Sequence, residues 1–159
     1  FYTAFPIHVV DKLGWSITEM GIFFSVLSFV MVLVQGPVLT FASKRFSDKK
    51  LVMTGSFLLA VNFLLLLSGN MILIYLAAVF FALGNGLMWP SFLSLLSKVS
   101  DDRHQGTVQG FASSTGSFAS IIGLITGGIL YEKLGALTFL LSAIIIFLVF
   151  LLSLRMPKA

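Results

Sequence analysis

From Leu51 to Ser97 the sequence contains no Asp, Glu, Lys or Arg, and the runs 20–43, 104–131 and 134–154 are equally free of charge. A helix needs about 20 residues to cross a hydrocarbon core of about 30 Å. The three shorter runs each suit one crossing. The run 51–97 is too long for one, and Ser68-Gly69-Asn70 is the polar turn signal that divides it. Ahead of Asp11 lies the apolar stretch Phe1–Val10, with no basic flank before it. That is unlike a signal peptide, and it reads as the tail of a hydrophobic segment cut in mid-span. The expectation is a fragment of a longer chain, with spans at approximately 1–10 (partial), 17–43, 51–68, 71–97, 103–131 and 136–154.

Composition narrows the class. The chain is 58% hydrophobic and 10% charged, against about 45–50% and about 25% in soluble domains. A soluble globule and a disordered chain are both excluded, the latter because disorder needs low hydrophobicity and high net charge. Runs such as Phe57–Leu67 do not alternate in polarity as membrane barrel strands do. Helices then remain as the way to satisfy the backbone in lipid. The expected fold is an all-α integral membrane protein with five complete transmembrane helices and the end of a sixth.

The charges orient it. The chain carries 10 Lys+Arg and 6 Asp+Glu, a net +4. Lys44, Arg45, Lys49, Lys50, Lys98, Arg103, Arg155 and Lys158 fall on one side of the alternating loops, and Lys12 and Lys133 on the other. By the positive-inside rule the richer side is cytoplasmic, and with it the C-terminus. The basic excess thus speaks for a bilayer in a cell (plasma or inner) membrane rather than for a nucleic-acid partner. There is no Cys, hence no disulfide or thiolate chemistry. No Ser/His/Asp set, metal-ligand spacing or embedded carboxylate pair is evident, so neither an enzyme nor a metal or other cofactor is expected. His104, beside Asp101, Asp102 and Arg103, reads as a solvated loop residue. His8 is a weak candidate for a titratable group in the first stretch.

Local signals place helix ends. Ser16-Ile17-Thr18-Glu19 is a capping-box pattern. Ser47 before Asp48 and the run Asp102-Arg103-His104-Gln105 are similar N-terminal signals. Gly135 after Glu132-Lys133 should stop a helix and permit a tight return.

Three stretches carry polarity into the spans. Gly84-Asn85-Gly86-Leu87-Met88-Trp89-Pro90 puts a proline, two glycines and an amide in mid-membrane. Proline removes one backbone hydrogen bond and bends a helix, and an unpaired amide in an apolar span costs several kcal/mol. Asn85 and Trp89 share a face at i and i+4. This is either a flexible helix that turns Asn85, Met88 and Trp89 toward a solute cavity or a kinked packing helix whose Asn bonds a neighbour. Next, Gly106, Gly110 and Ser114, and later Gly123 and Gly127, form small-xxx-small ladders that let helix backbones approach. Gln109 within them is a candidate cavity residue, because a buried amide needs several partners. Finally, Gln35-Gly36-Pro37 reads as a Pro/Gly helix end leading into the basic loop Lys44, Arg45, Asp48, Lys49 and Lys50. That loop is either a topogenic anchor or a set of charges that bind neighbouring helix ends.

The order apolar helix, Gly36-Pro37, then Ser43-Lys44-Arg45-Phe46-Ser47-Asp48-Lys49-Lys50 resembles a degenerate copy of the loop signature of the major facilitator superfamily. Lys44 stands where that family usually has Asp, and Ser47 where Gly is usual. Gly84-Asn85-Gly86…Pro90…Gln105-Gly106-Thr107-Val108-Gln109-Gly110 is similar to the tenth-to-eleventh helix region of drug–proton antiporters, including the tetracycline-efflux type. Gly123-Leu124-Ile125-Thr126-Gly127-Gly128 is like the family's Gly-Pro-x-x-Gly-Gly motif, with Leu124 in place of Pro. The resemblance implies a single C-terminal six-helix half over 1–159, from the end of helix seven to helix twelve, whose partner is an absent N-terminal half. It further implies alternating access with a small-molecule substrate between the halves. The Asn85/Trp89 helix would line the cavity, and the Gln35 and Gln109 helices would pack against the other half. Helices 51–67 and 134–154 would face lipid. Any proton-carrying carboxylate would lie in the absent half. The expected function is efflux of a small drug-like or amphipathic solute in exchange for protons. The alternative is a non-transport membrane scaffold or receptor-like protein that retains the fold, and the upstream sequence would separate the two.

Overall fold

The computed structural model describes residues 1–100 and 104–155. Asp101, Asp102, Arg103 and Lys158, used above for orientation and helix starts, lie outside the described residues, as does the first residue of the span at 103–131. Six helices follow one another among the described residues: α1 (Ala4–Leu13), α2 (Ile17–Ser43), α3 (Asp48–Ser68), α4 (Met71–Val99), α5 (Gln105–Leu134) and α6 (Leu137–Leu154). From α2 onward each is long and apolar enough to cross a membrane. No strand occurs among the described residues. The protein is an all-α membrane fold.

The turns follow the local chemistry. Ser16 and Glu19 close the capping box at the start of α2, with the Glu19 N–H donating to Ser16 Oγ at 3.2 Å and the Ser16 N–H to Glu19 Oε2 at 2.7 Å. Gly135 ends α5 at φ +55°, a left-handed value that a Cβ would resist, and α6 begins two residues later. Ser47 precedes α3 without a capping hydrogen bond from its side chain. The carboxylate of Asp48 is engaged elsewhere, as described below.

Lipid tails are as apolar as Leu, so apolar surface alone does not choose which helices meet. Close backbone approach and buried polar contacts do. The tightest seam joins α3 to α4. A Cβ added to Gly55 would lie 2.6 Å from the Gly84 carbonyl oxygen, and one on Gly84 would lie 2.8 Å from that of Gly55. Two turns on, Asn62 is wholly buried; with its amide oriented so that both ends find partners, it donates to the Ala77 carbonyl at 2.9 Å. Half of the α3 span is buried. The expectation that 51–67 is a lipid-facing helix is therefore corrected: its Leu- and Phe-rich composition conceals a face of Gly55, Ser56 and Asn62 that fits against α4.

α1 is fixed by aromatic rings. Phe1 stacks on Phe81 of α4 at 4.1 Å between centroids, and Phe5, fully buried, stacks on Phe23 of α2 at 4.8 Å. α5 stands apart, with none of its apolar span buried.

The stretch Gln35-Gly36-Pro37 does not end its helix. The chain widens into a π turn over Val34–Val38, then returns to α geometry through Ser43. Pro37 has no N–H with which to bond the carbonyl four residues earlier. The wider turn lets the Leu39 N–H reach the Val34 carbonyl instead. Such bulges recur at functional positions in helices.

Candidate functional site

The π turn sets up the first wall of a cavity. Val34 is buried against Gly86 of α4, where an added Cβ would come within 2.6 Å of Val34 Cγ1. With Val34 turned inward, the next residue, Gln35, projects to the side. On α4 one turn separates Asn85 and Trp89, which present their side chains to the same space. α5 closes it with Ser113, Gly116, Ser117 and Ser120. These seven residues line a cavity of about 460 Å3, within the range of small-molecule sites. Gly116 makes room for the indole: a Cβ there would lie 3.3 Å from Trp89 Cη2.

The polar groups divide by role. Ser117 Oγ donates to the Ser113 carbonyl at 3.0 Å and Ser120 Oγ to the Gly116 carbonyl at 2.8 Å. Both hydroxyl protons are thus used within α5, and the oxygen lone pairs face the cavity as acceptors. The amides of Gln35 and Asn85 and the indole N–H of Trp89 have no hydrogen-bond partner among the described residues. They can donate to a solute, and the amide oxygens can accept. No charged side chain lines the cavity.

Of the cavity residues expected from sequence, Gln35, Asn85 and Trp89 come together here. Met88 does not, and its assignment is corrected. At three residues from Asn85 it lies on the flank of α4 that meets α3, where Ser56 Oγ is 3.3 Å from its sulfur. Gln109 is exposed on α5, one turn before Ser113 and outside the cavity lining. Ser113, Ser117 and Ser120 are not among the cavity residues expected from sequence. The i, i+4 spacing of Gln109, Ser113 and Ser117 is the signal for a polar face on α5. Gly84 and Gly86 sit in close helix contacts. Gly106, Gly110, Gly123 and Gly127 face open space, where an added Cβ would meet nothing within 4 Å. Pro90 is accommodated inside an unbroken α4.

The loop residues tie helix ends together. Asp48 Oδ2 accepts hydrogen bonds from Ser94 Oγ at 2.8 Å and from Lys98 Nζ at 2.7 Å, both on α4. Lys49 Nζ donates to the Leu154 carbonyl at 2.9 Å, at the end of α6, where the unpaired helix carbonyls favour a cation. The Arg45 guanidinium lies 4.3 Å over the Phe41 ring. Lys44 is exposed, and Lys50 borders a groove between α2 and α3.

A family model described as the Major Facilitator Superfamily matches residues 1–159. Among curated proteins, the chain is 26% identical over 142 residues to the uncharacterized MFS-type transporter YttB of Bacillus subtilis (strain 168), covering 87% of this chain and 36% of that protein. It is 29% identical over 113 residues to the class C tetracycline resistance protein of Escherichia coli, covering 71% and 28%. With the multidrug resistance protein MdtH of Photorhabdus laumondii subsp. laumondii the identity is 27% over 158 residues, covering 91% and 38%. The chain thus spans between 28% and 38% of the length of these relatives. No solved structure matches it significantly. The match over the whole chain, on a bundle of membrane-crossing helices, places this protein in the major facilitator superfamily.

Proposed function

We propose that residues 1–159 form the C-terminal six-helix half of a secondary transporter that works by alternating access and exports a small drug-like or amphipathic solute in exchange for protons. The observation that carries this reading is the cavity between α2, α4 and α5, with its uncharged donors Gln35, Asn85 and Trp89 opposite the acceptor serines of α5. The printed functions of two relatives, tetracycline resistance and multidrug resistance, support the efflux class. An uncharged cavity suits a neutral, cationic or amphipathic solute over an anion, because an unpaired anion would find no cation there to offset its desolvation. Trp89 offers a π face to a cationic or aromatic group.

In this reading the open face of α5 meets the N-terminal half. The end carrying Lys44, Arg45, Lys49 and Lys50 is cytoplasmic, as is the C-terminus. The charge-free runs leave coupling carboxylates to the other half. The test is efflux by the full-length protein carrying Asn85→Ala or Trp89→Ala. Loss of one good hydrogen bond to a solute corresponds to about tenfold in affinity, so each variant should reorder the exported compounds by about that factor. Unchanged specificity in both variants sinks the assignment of this cavity to the substrate.

A further inference from the structure

His8 is wholly buried. Its Nδ1 lies 2.9 Å from the hydroxyl oxygen of Tyr131 on α5, and Phe139 of α6 stands edge-on to the imidazole at 5.0 Å between centroids. The other ring nitrogen, Nε2, has no partner among the described residues. Beside the pair, a cavity of about 690 Å3 is lined by Tyr131 together with Asp11, Lys12 and Glu132.

We propose that His8 and Tyr131 form a proton-binding site that latches α1 to α5 when His8 is neutral and releases it when His8 takes up a proton. In the neutral ring one nitrogen carries hydrogen and the other is an acceptor. In the tautomer with Nδ1–H donating to the Tyr131 oxygen, Nε2 is bare and has no partner among the described residues, and the helices close over it. A proton arriving from water at Nε2 makes both nitrogens donors and the ring a cation. The closed packing then holds a buried charge with an unpaired N–H, which is strongly unfavourable. The charged groups around the site come from two elements: Asp11 and Lys12 one turn further along α1, and Glu132 next to Tyr131 on α5. α6 contributes the apolar Phe139 and no charge. Displacing the end of α1 toward the neighbouring cavity brings the imidazolium, together with Asp11 one turn along the same helix, to water and toward the carboxylate of Glu132. Histidine is suited to this because its charge changes between about pH 5 and pH 8. The site shares no residue with the Asn85/Trp89 cavity and stands whether or not the protein exports a solute.

The chain has no cysteine, so Val10→Cys and Leu134→Cys, both at exposed positions, place one spin label on each of α1 and α5. The experiment measures the distance distribution between them in the full-length protein in lipid vesicles, with any cysteine outside these residues replaced. The expected result is a second, longer distance whose population rises at least about threefold from pH 8 to pH 5. His8→Gln should abolish the response. Tyr131→Phe, which keeps the ring and removes the hydroxyl, should populate the longer distance already at pH 8 while retaining a pH response. A distribution independent of pH in the unsubstituted chain overturns the proposal without recourse to variants. So does a response that survives His8→Gln, or a Tyr131→Phe protein that matches the parent at pH 8.

Discussion

α4 and α5 both carry several glycines, yet Gly84 and Gly86 of α4 press on neighbouring helices while Gly106, Gly110, Gly123 and Gly127 of α5 touch nothing. On α4 the missing side chains let Gly55 and Gly84 bring two backbones together and let Val34 seat beside Gly86. On α5 these four gaps lie on open faces, and a separate set of small residues, Ser113, Gly116, Ser117 and Ser120, lines a cavity. A small residue in a membrane helix therefore marks a place where a neighbour can come close, and only the arrangement of the other helices decides whether one does.

The sharpest way to break this comparison is at the α3–α4 seam. Gly55→Val puts a branched side chain where even a Cβ would be 2.6 Å from a carbonyl oxygen of the other helix. Backbone cannot swing aside as a side chain can, so the helices must part. The expected loss of stability is about 3 kcal/mol, at the upper end of the usual cost of overpacking, read as a lowered unfolding midpoint in detergent. An unchanged midpoint would mean that the seam is not a constraint on the fold.

The next largest effect belongs to Asn62→Ala. It removes a buried amide that bridges to the Ala77 carbonyl and leaves a small void. Interhelical polar contacts in membranes contribute about 1 kcal/mol, so a shift of that order is expected in the same assay. A void that costs nothing would show that α3 and α4 are held by glycine contact alone.

Much of this was legible in the sequence because it follows from where charge is absent. Charge-free runs gave the five complete helices, and Ser16 with Glu19 and the glycine at 135 marked their turns. Asn85 and Trp89 declared a shared face by spacing, and Gln35 lies beside them. Other features could not be read because they depend on partners. Nothing in the run Leu51–Leu67 distinguishes a lipid-facing helix from one with a buried stripe, since the stripe contains one glycine, one serine and one asparagine. Met88 sits between two cavity residues in sequence but on another flank in space. Pro37 announces a disturbed helix, but whether the helix ends or widens depends on whether a carbonyl five residues back finds an N–H. His8 looks like an isolated polar residue until Tyr131, far along the chain, is brought to it.

A smaller effect is expected at the end of the bundle where the loop charges gather. Asp48 is largely covered and Lys98 largely exposed, with side-chain exposures of 12% and 59%. A pair so open to water contributes no more than about 1 kcal/mol. Asp48→Asn keeps the shape and the Ser94 contact while removing the charge. It should lower the unfolding midpoint slightly, and the difference from the parent should shrink as salt is raised, because exposed charges are screened. A difference that persists at high salt would show that the effect does not come from the exposed Lys98 pair.

The smallest effect, and the one that bears most directly on the contrast between α4 and α5, is that of Gly110→Ala. The position is helical and an added Cβ would meet nothing within 4 Å. In a solvated helix the change from glycine to alanine favours the helix by about 1 kcal/mol. In a bilayer, where the backbone is already held in its hydrogen bonds, the gain should be smaller, so the unfolding midpoint should stay level or rise a little. The opposite sign carries the information. If Gly110→Ala destabilises the full-length protein while Gly55→Val destabilises it more, then a backbone does approach α5, supplied by a part of the protein outside these residues. The two helices would then use their glycines in the same way and differ only in which side of the molecule provides the partner.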